Sequence, residues 1–185
     1  MGSNKMIFED LYPIDNEYAL VASGPSLTHL NQIIKVDYKN GINQKEFIMT
    51  GTYLRLGNYF NGKLIYSDNY DVFEDGKFIK EGIQPYMTEY GLLYQHHGVI
   101  FLNDEIIIKP EVGYFTVGRP TFSDGVVYYE TRKSEAPKGW EVWKHDIVTN
   151  KNEFICDGCN AFGYKDMIYY QKWNDGEFEL CLRKK

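Results

Sequence analysis

Cysteine is scarce in this chain. There are three, Cys156, Cys159 and Cys181, and an odd number that small excludes a disulfide framework. A reducing compartment, the cytoplasm or a virion, is therefore expected. Basic residues are in the minority, with 20 Lys and Arg against 26 Asp and Glu, for a net charge of -6. Affinity for a phosphate backbone comes from clustered Lys and Arg that release counterions, so no nucleic-acid partner is expected. The one short basic group is Arg183-Lys184-Lys185. Long apolar runs are missing too. Stretches such as Ile106-Ile107-Ile108 fall far short of the roughly 20 residues of a membrane-spanning helix, so no membrane partner is expected. The opening residues carry no apolar stretch of the signal-peptide kind, and Met6 stands where a myristoylation signal needs Ser or Thr. No helical periodicity extends over ten residues, and no linker or low-complexity segment is visible.

What is abundant is aromatic. Phe, Trp and Tyr make up 16% of the chain, with 16 Tyr, 11 Phe and 3 Trp among 185 residues, beside 17 Gly and only 6 Pro. That balance favours β-structure. A short apolar segment followed by charged or turn residues recurs along the chain. It reads Met6-Ile7-Phe8, Phe47-Ile48-Met49, Phe78-Ile79-Lys80, Ile106-Ile107-Ile108 and Phe154-Ile155-Cys156. Each interval between copies has the same ordered contents. One strand signal carries a Tyr at a matched place (Tyr66, Tyr94, Tyr129, Tyr170, with Val21 in the first copy). Several copies follow turn signals such as Asn61-Gly62 and Asp124-Gly125. A second signal alternates apolar and polar residues, as in Ile34-Lys35-Val36-Asp37-Tyr38 and Trp140-Glu141-Val142-Trp143. A less regular strand opens each unit.

Each unit thus reads as four short antiparallel strands, a to d. Five units predict an all-β fold: one domain over 1–185, a single five-bladed β-propeller of four-stranded antiparallel blades. The expected blades are 11–51, 52–82, 83–110, 111–158, and 159–185 completed by 4–10. The last unit lacks strand d, and Met6-Ile7-Phe8 is a d strand without a blade. Pairing of Met6–Asp10 with Phe178–Leu182 would close the ring and cover its edges. Generic hairpins in a sandwich or an open meander are the competing reading; the split blade favours the ring.

The fourth unit, Arg119-Pro120-Thr121-Phe122-Ser123-Asp124-Gly125-Val126-Val127-Tyr128-Tyr129, resembles the Pro-x-Phe-Ser-Pro-Asp-Gly blade motif of TolB-like propellers, without the second Pro. Trp140-Glu141-Val142-Trp143-Lys144-His145-Asp146 looks like that family's next strand. Asp-Gly followed by aromatic β-residues is similar to five-bladed, glycosidase-like propellers. The resemblance covers about 40 residues well. Its motif residues build a turn and a strand, so it implies a fold and little about activity.

In such a ring the b-to-c and d-to-a loops open on one face. The two longest loops, Ser23 to Asn31 and Thr131 to Gly139, are both of the b-to-c kind, and long loops carry function more often than framework connections do. The candidate ligand-binding residues on that face are Asp68, His96, His97, Arg132, Trp140 and Trp173. The tryptophans could stack on sugar rings or pack between blades. His96-His97 could bind metal or move protons, or be a polar loop pair. Cys156-Asp157-Gly158-Cys159 has the spacing of half a zinc site, which His96 and His97 could complete, or its cysteines are small residues at a strand end. No Ser-His-Asp order or Gly-rich phosphate loop is visible, and the inner strands are poor in the acids that a facing carboxylate pair needs, although carboxylates scattered in sequence can converge. The expectation is a non-catalytic binding or assembly module that recognises a protein or glycan without a cofactor; a viral structural or accessory protein fits that description. The alternative is a small glycosidase-like or metal-dependent hydrolase that uses Asp68, His96 and His97.

Overall fold

The structure, a computed structural model, describes residues 7–14, 17–24, 31–37, 39–40, 45–114, 116–133, 139–174 and 177–185. Nineteen strands follow one another, with no helix among the described residues. The first sheet holds β1 (Ile7–Pro13), β2 (Tyr18–Gly24), β3 (Gln32–Asp37) and β4 (Lys45–Thr50). The second holds β5 (Leu54–Phe60), β6 (Lys63–Asp68), β7 (Asp71–Glu74) and β8 (Lys77–Glu81). The third holds β9 (Ile83–Thr88), β10 (Gly91–His96), β11 (Val99–Leu102) and β12 (Glu105–Ile108). The fourth holds β13 (Thr116–Ser123), β14 (Val126–Arg132), β15 (Trp140–Asp146) and β16 (Lys151–Asp157). The last holds β17 (Cys159–Tyr164), β18 (Met167–Asn174) and β19 (Glu177–Lys184). Among the described residues every pairing joins strands adjacent in sequence. The sheets form the five-bladed β-propeller that the repeat predicts. The chain gathers into two compact units, Met1–Glu89 and Tyr90–Lys185.

Two devices recur from sheet to sheet. The first strand carries one extra residue where its register against the second strand shifts: between Glu9 and Leu11, Leu56 and Tyr59, Gly118 and Thr121, and Cys159 and Phe162. Such bulges bend the strand and redirect its side chains. Asn58, in one of them, holds the next blade's first strand with both ends of its amide: it donates to the Met87 carbonyl at 2.8 Å and accepts from the Met87 N–H at 2.9 Å. Thr121 likewise donates to the Ala161 carbonyl at 2.8 Å.

The fourth strand bulges as well, and its extra residue is isoleucine each time. Ile48, Ile79, Ile107 and Ile155 each stand between two paired residues that face consecutive positions of the third strand. This accounts for the recurring apolar segment. A regular strand alternates its faces, whereas a bulge breaks the alternation, so neighbouring apolar residues can sit side by side.

In the first unit, Leu20, Ala22, Ile33, Leu54, Leu56, Leu64 and Tyr66 form a core between the first two sheets. In the second unit, Tyr128, Val142, Ile155, Ala161 and Ile168 do the same between the fourth and fifth. The matched tyrosines Tyr66, Tyr94 and Tyr129 are buried. Tyr66 stacks on its cross-strand neighbour Phe73 at 5.3 Å, and Tyr94 on Phe101 at 5.1 Å.

Among the described residues the expected ring closure does not form. Ile7, Phe8 and Glu9 pair with Gly24, Ser23 and Ala22 of β2, so the N-terminal segment belongs to the first sheet. The last sheet is three-stranded, and β19 pairs only with β18 among the described residues. The physical reason is the bulge at Asp10. It lets one strand pair on both sides of the break, and in sequence that strand reads as two short ones, Met6-Ile7-Phe8 and the segment around Tyr12. Met6 itself, and residues 4–5 of the expected fifth blade, lie outside the described residues.

Candidate functional site

One end of the second unit gathers most of the residues singled out in the sequence. Three connections meet there. The Val117 N–H donates to the Gly98 carbonyl at 3.2 Å, which ties the β10–β11 turn to β13. Lys133 and Gly139 bridge the mouth of the β14–β15 loop at 2.9 Å, and the Gly158 N–H donates to the Trp140 carbonyl at 2.9 Å. The middle of that loop, residues 134–138, and the long Ser23–Asn31 loop from 25 to 30 lie outside the described residues.

Trp140 and Trp173 come together here. With Phe178, Gly139, Asp157, Gly158, Cys159, Gln171 and Lys172 they line a cleft of about 280 Å³. Each wall follows from strand pairing. Arg132 is the register partner of Trp140, and its guanidinium lies over the indole at 5.5 Å. Phe178 is the register partner of Trp173, and the two rings meet edge to face at 5.0 Å. The floor depends on Gly158. Its φ is +149°, and a Cβ there would come within 2.5 Å of the Gln171 carbonyl oxygen, so only glycine lets the chain pass from β16 to β17 this close to β18. Both tryptophans are half-buried and line the cleft.

Two buried carboxylates brace this end. Glu141, 7% exposed, accepts hydrogen bonds from the Tyr114 hydroxyl and the Trp143 indole N–H, each at 2.9 Å, and pairs with the Lys133 ammonium at 2.6 Å. Burial alone would raise its pKa. The hydrogen bonds from Lys133, Trp143 and Tyr114 outweigh that, so the carboxyl is held below its ordinary range while Lys133 is held above its own. Glu130, 6% exposed, accepts from the Asn160 N–H at 2.9 Å and lies 3.5 Å from the Arg119 guanidinium. Asn160 in turn donates to Gln171 at 2.7 Å, which links this group to the cleft wall.

The cysteines are not activated. Cys156 pairs with Val142 in the fourth sheet, whereas Cys159 pairs with Gln171 in the fifth, so Asp157-Gly158 is a bridge between blades. Burial pushes both thiols up, Cys159 to about 12 with the Glu130 charge adding to it, which leaves almost no thiolate near neutrality. His96 and His97 do sit on a reversal of the chain. His97 has φ +49° and Gly98 +77°, and the two imidazole centroids are 4.0 Å apart. Among the described residues, no group of three or more His, Cys, Asp or Glu is placed to hold a metal ion. Asp68 belongs to the first unit, where one carboxylate oxygen accepts the N–H groups of Thr52 and Tyr53 at 2.9 and 2.8 Å and shapes the turn into the second blade.

The Glu141 group and Phe178 escaped the sequence reading. Phe178 was recoverable, since a tight turn between Trp173 and Phe178 makes them register neighbours. Glu141 was not, because its partners Tyr114 and Lys133 come from other strands' ends. No family model matches this sequence, and no curated protein does either.

Proposed function

We propose that this protein is a non-catalytic binding module that takes up a glycan in the Trp140–Trp173 cleft. The observation that carries this reading is a cleft lined by two half-buried tryptophans together with polar residues. An indole face suits the C–H face of a sugar ring, while Asp157, Gln171 and Lys172 offer acceptors and donors for its hydroxyls. Gly158 and the braced Glu141 fix the walls beforehand, which lowers the ordering cost of binding. The hydrolase reading has less support: the Asp68 carboxylate is engaged with backbone N–H groups, and His96 and His97 have no third ligand among the described residues.

The buried Pro120 and the left-handed Asp124-Gly125 turn support kinship of the fourth blade with TolB-like propellers. Three free thiols suit a reducing compartment, the cytoplasm or a virion assembled there.

A glycan array probed with the wild-type protein and with Trp140→Ala and Trp173→Ala tests the reading. Binding should be lost or weakened at least about tenfold in each variant, as for an aromatic hot spot. His96→Ala and His97→Ala should bind as wild type does. Circular dichroism checks that the variants are folded. A silent array, together with capture of a protein that both tryptophan variants release, would replace the glycan with a protein partner.

A further inference from the structure

The last sheet ends in an open edge. In the other four sheets the third strand is covered by a fourth, but β19 is paired on one side only among the described residues. The strand is long, eight residues, with no proline and no bulge against β18. It also exposes apolar side chains: Phe178 is 49% exposed, Leu180 66% and Leu182 54%. An edge of this length with an apolar face is a template for another strand.

The sequence of this strand says which one. Residues 177–185 read Glu-Phe-Glu-Leu-Cys-Leu-Arg-Lys-Lys, acidic at the start and basic at the end. Such a strand is complementary to itself when the two copies run antiparallel. We propose that β19 pairs with β19 of a second copy about a two-fold axis through Cys181, joining two three-stranded sheets into one of six.

The register follows from symmetry and charge. A two-fold axis normal to the sheet keeps each side chain on its own face, so odd-numbered residues can only oppose odd ones. With Cys181 on the axis, Glu179 of each copy faces Arg183 of the other, and Glu177 faces Lys185. Leu180 faces Leu182 on the opposite side, and Phe178 lies against the Lys184 stem. Moving the centre to Leu180 sets Glu179 against Cys181. Moving it to Leu182 sets Arg183 against Cys181. Only the Cys181 register matches all four charges on that face, and directly opposed charges of opposite sign favour an antiparallel pair.

Existing contacts leave these groups available. Glu179 accepts one hydrogen bond, from Asn174 at 3.0 Å, and keeps a second carboxylate oxygen. Arg183 uses one N–H on the Ile155 carbonyl, of the five it carries. Lys185, its side chain 21% exposed, pairs with Asp124 at 2.6 Å and donates to the Ser123 hydroxyl at 2.9 Å, and these contacts would have to be exchanged for Glu177. One strand edge is a small interface, so the dimer should be weak and concentration-dependent. The inference stands apart from the glycan reading, and neither needs the other.

Sedimentation equilibrium over a wide concentration range tests it. The wild-type protein should pass from monomer to dimer as concentration rises. Glu179→Arg and Arg183→Glu should each weaken the dimer at least about tenfold by setting like charges opposite one another. An equimolar mixture of those two variants should recover association, because every opposed pair is then of opposite sign. That recovery separates charge pairing from a folding defect in either variant. Leu180→Lys should also weaken the dimer. A wild-type protein that stays monomeric up to its solubility limit overturns the proposal. So does a dimer indifferent to both charge reversals.

Discussion

At the scale of single residues, the clearest instruction is the one around Glu141. A buried carboxylate is tolerable only when its oxygens are occupied, and here a hydroxyl, an indole N–H and an ammonium occupy them. Glu141→Ala strands the Tyr114 and Trp143 donors and should cost about 2–4 kcal/mol, read as a lower urea midpoint at unchanged slope. Glu141→Gln keeps an acceptor for Tyr114 or Trp143 and should cost less. The pH dependence has a definite sign. The folded-state pKa of Glu141 lies below its unfolded value, so its stabilisation is complete above the ordinary carboxylate range and is lost as pH falls through the folded value. Thermal melts of the wild-type protein and Glu141→Gln should therefore converge in acid. Melts that stay parallel across the acid range would show that the carboxylate charge contributes nothing there.

At the scale of the element, the fourth strand shows how one motif serves different ends. Ile48 and Ile155 fill the same bulge in their sheets, yet Ile155 is 5% exposed and Ile48 is 38% exposed. Ile155 packs with Tyr128, Val142, Ala161 and Ile168 between the fourth and fifth sheets. Ile155→Ala should leave a cavity and cost about 2–4 kcal/mol. Ile48→Ala, at the matched position, should cost under about 1 kcal/mol, as half-exposed positions do. Equal losses at the two sites would mean that isoleucine is required by the bulge itself rather than by what covers it. The sequence made the motif visible because four copies share it, but it gave no sign of which copies are covered. That depends on the strand lying across each sheet, and β17 supplies the Ala161 that covers Ile155.

At the scale of the whole molecule, legibility follows from locality. Every sheet pairs strands in chain order, so turn signals such as Asn61-Gly62 and alternation such as Trp140-Glu141-Val142-Trp143 were enough to lay out the blades. What stayed hidden is whatever depends on register: the bulge at Asp10 that makes one strand of two segments, the open edge of β19, and the meeting of Trp140 with Trp173 across two blades. The same locality predicts a periodic pattern of amide protection. In each sheet the second strand, β2, β6, β10, β14 or β18, has a neighbour on both sides, as do the third strands β3, β7, β11 and β15 of the four-stranded sheets, and their N–H groups are paired whichever way they point. The first strand of each sheet and the outermost strand each present one side without a ladder. Hydrogen exchange should therefore be slowest in these interior strands and fast at alternate amides of β19, rising and falling once per blade along the chain. In β19 the fast amides should slow as protein concentration rises, since a second copy's strand would pair them. Protection that declined steadily from one end of the chain to the other, with no rise at each second strand, would contradict a molecule built of repeated sheets.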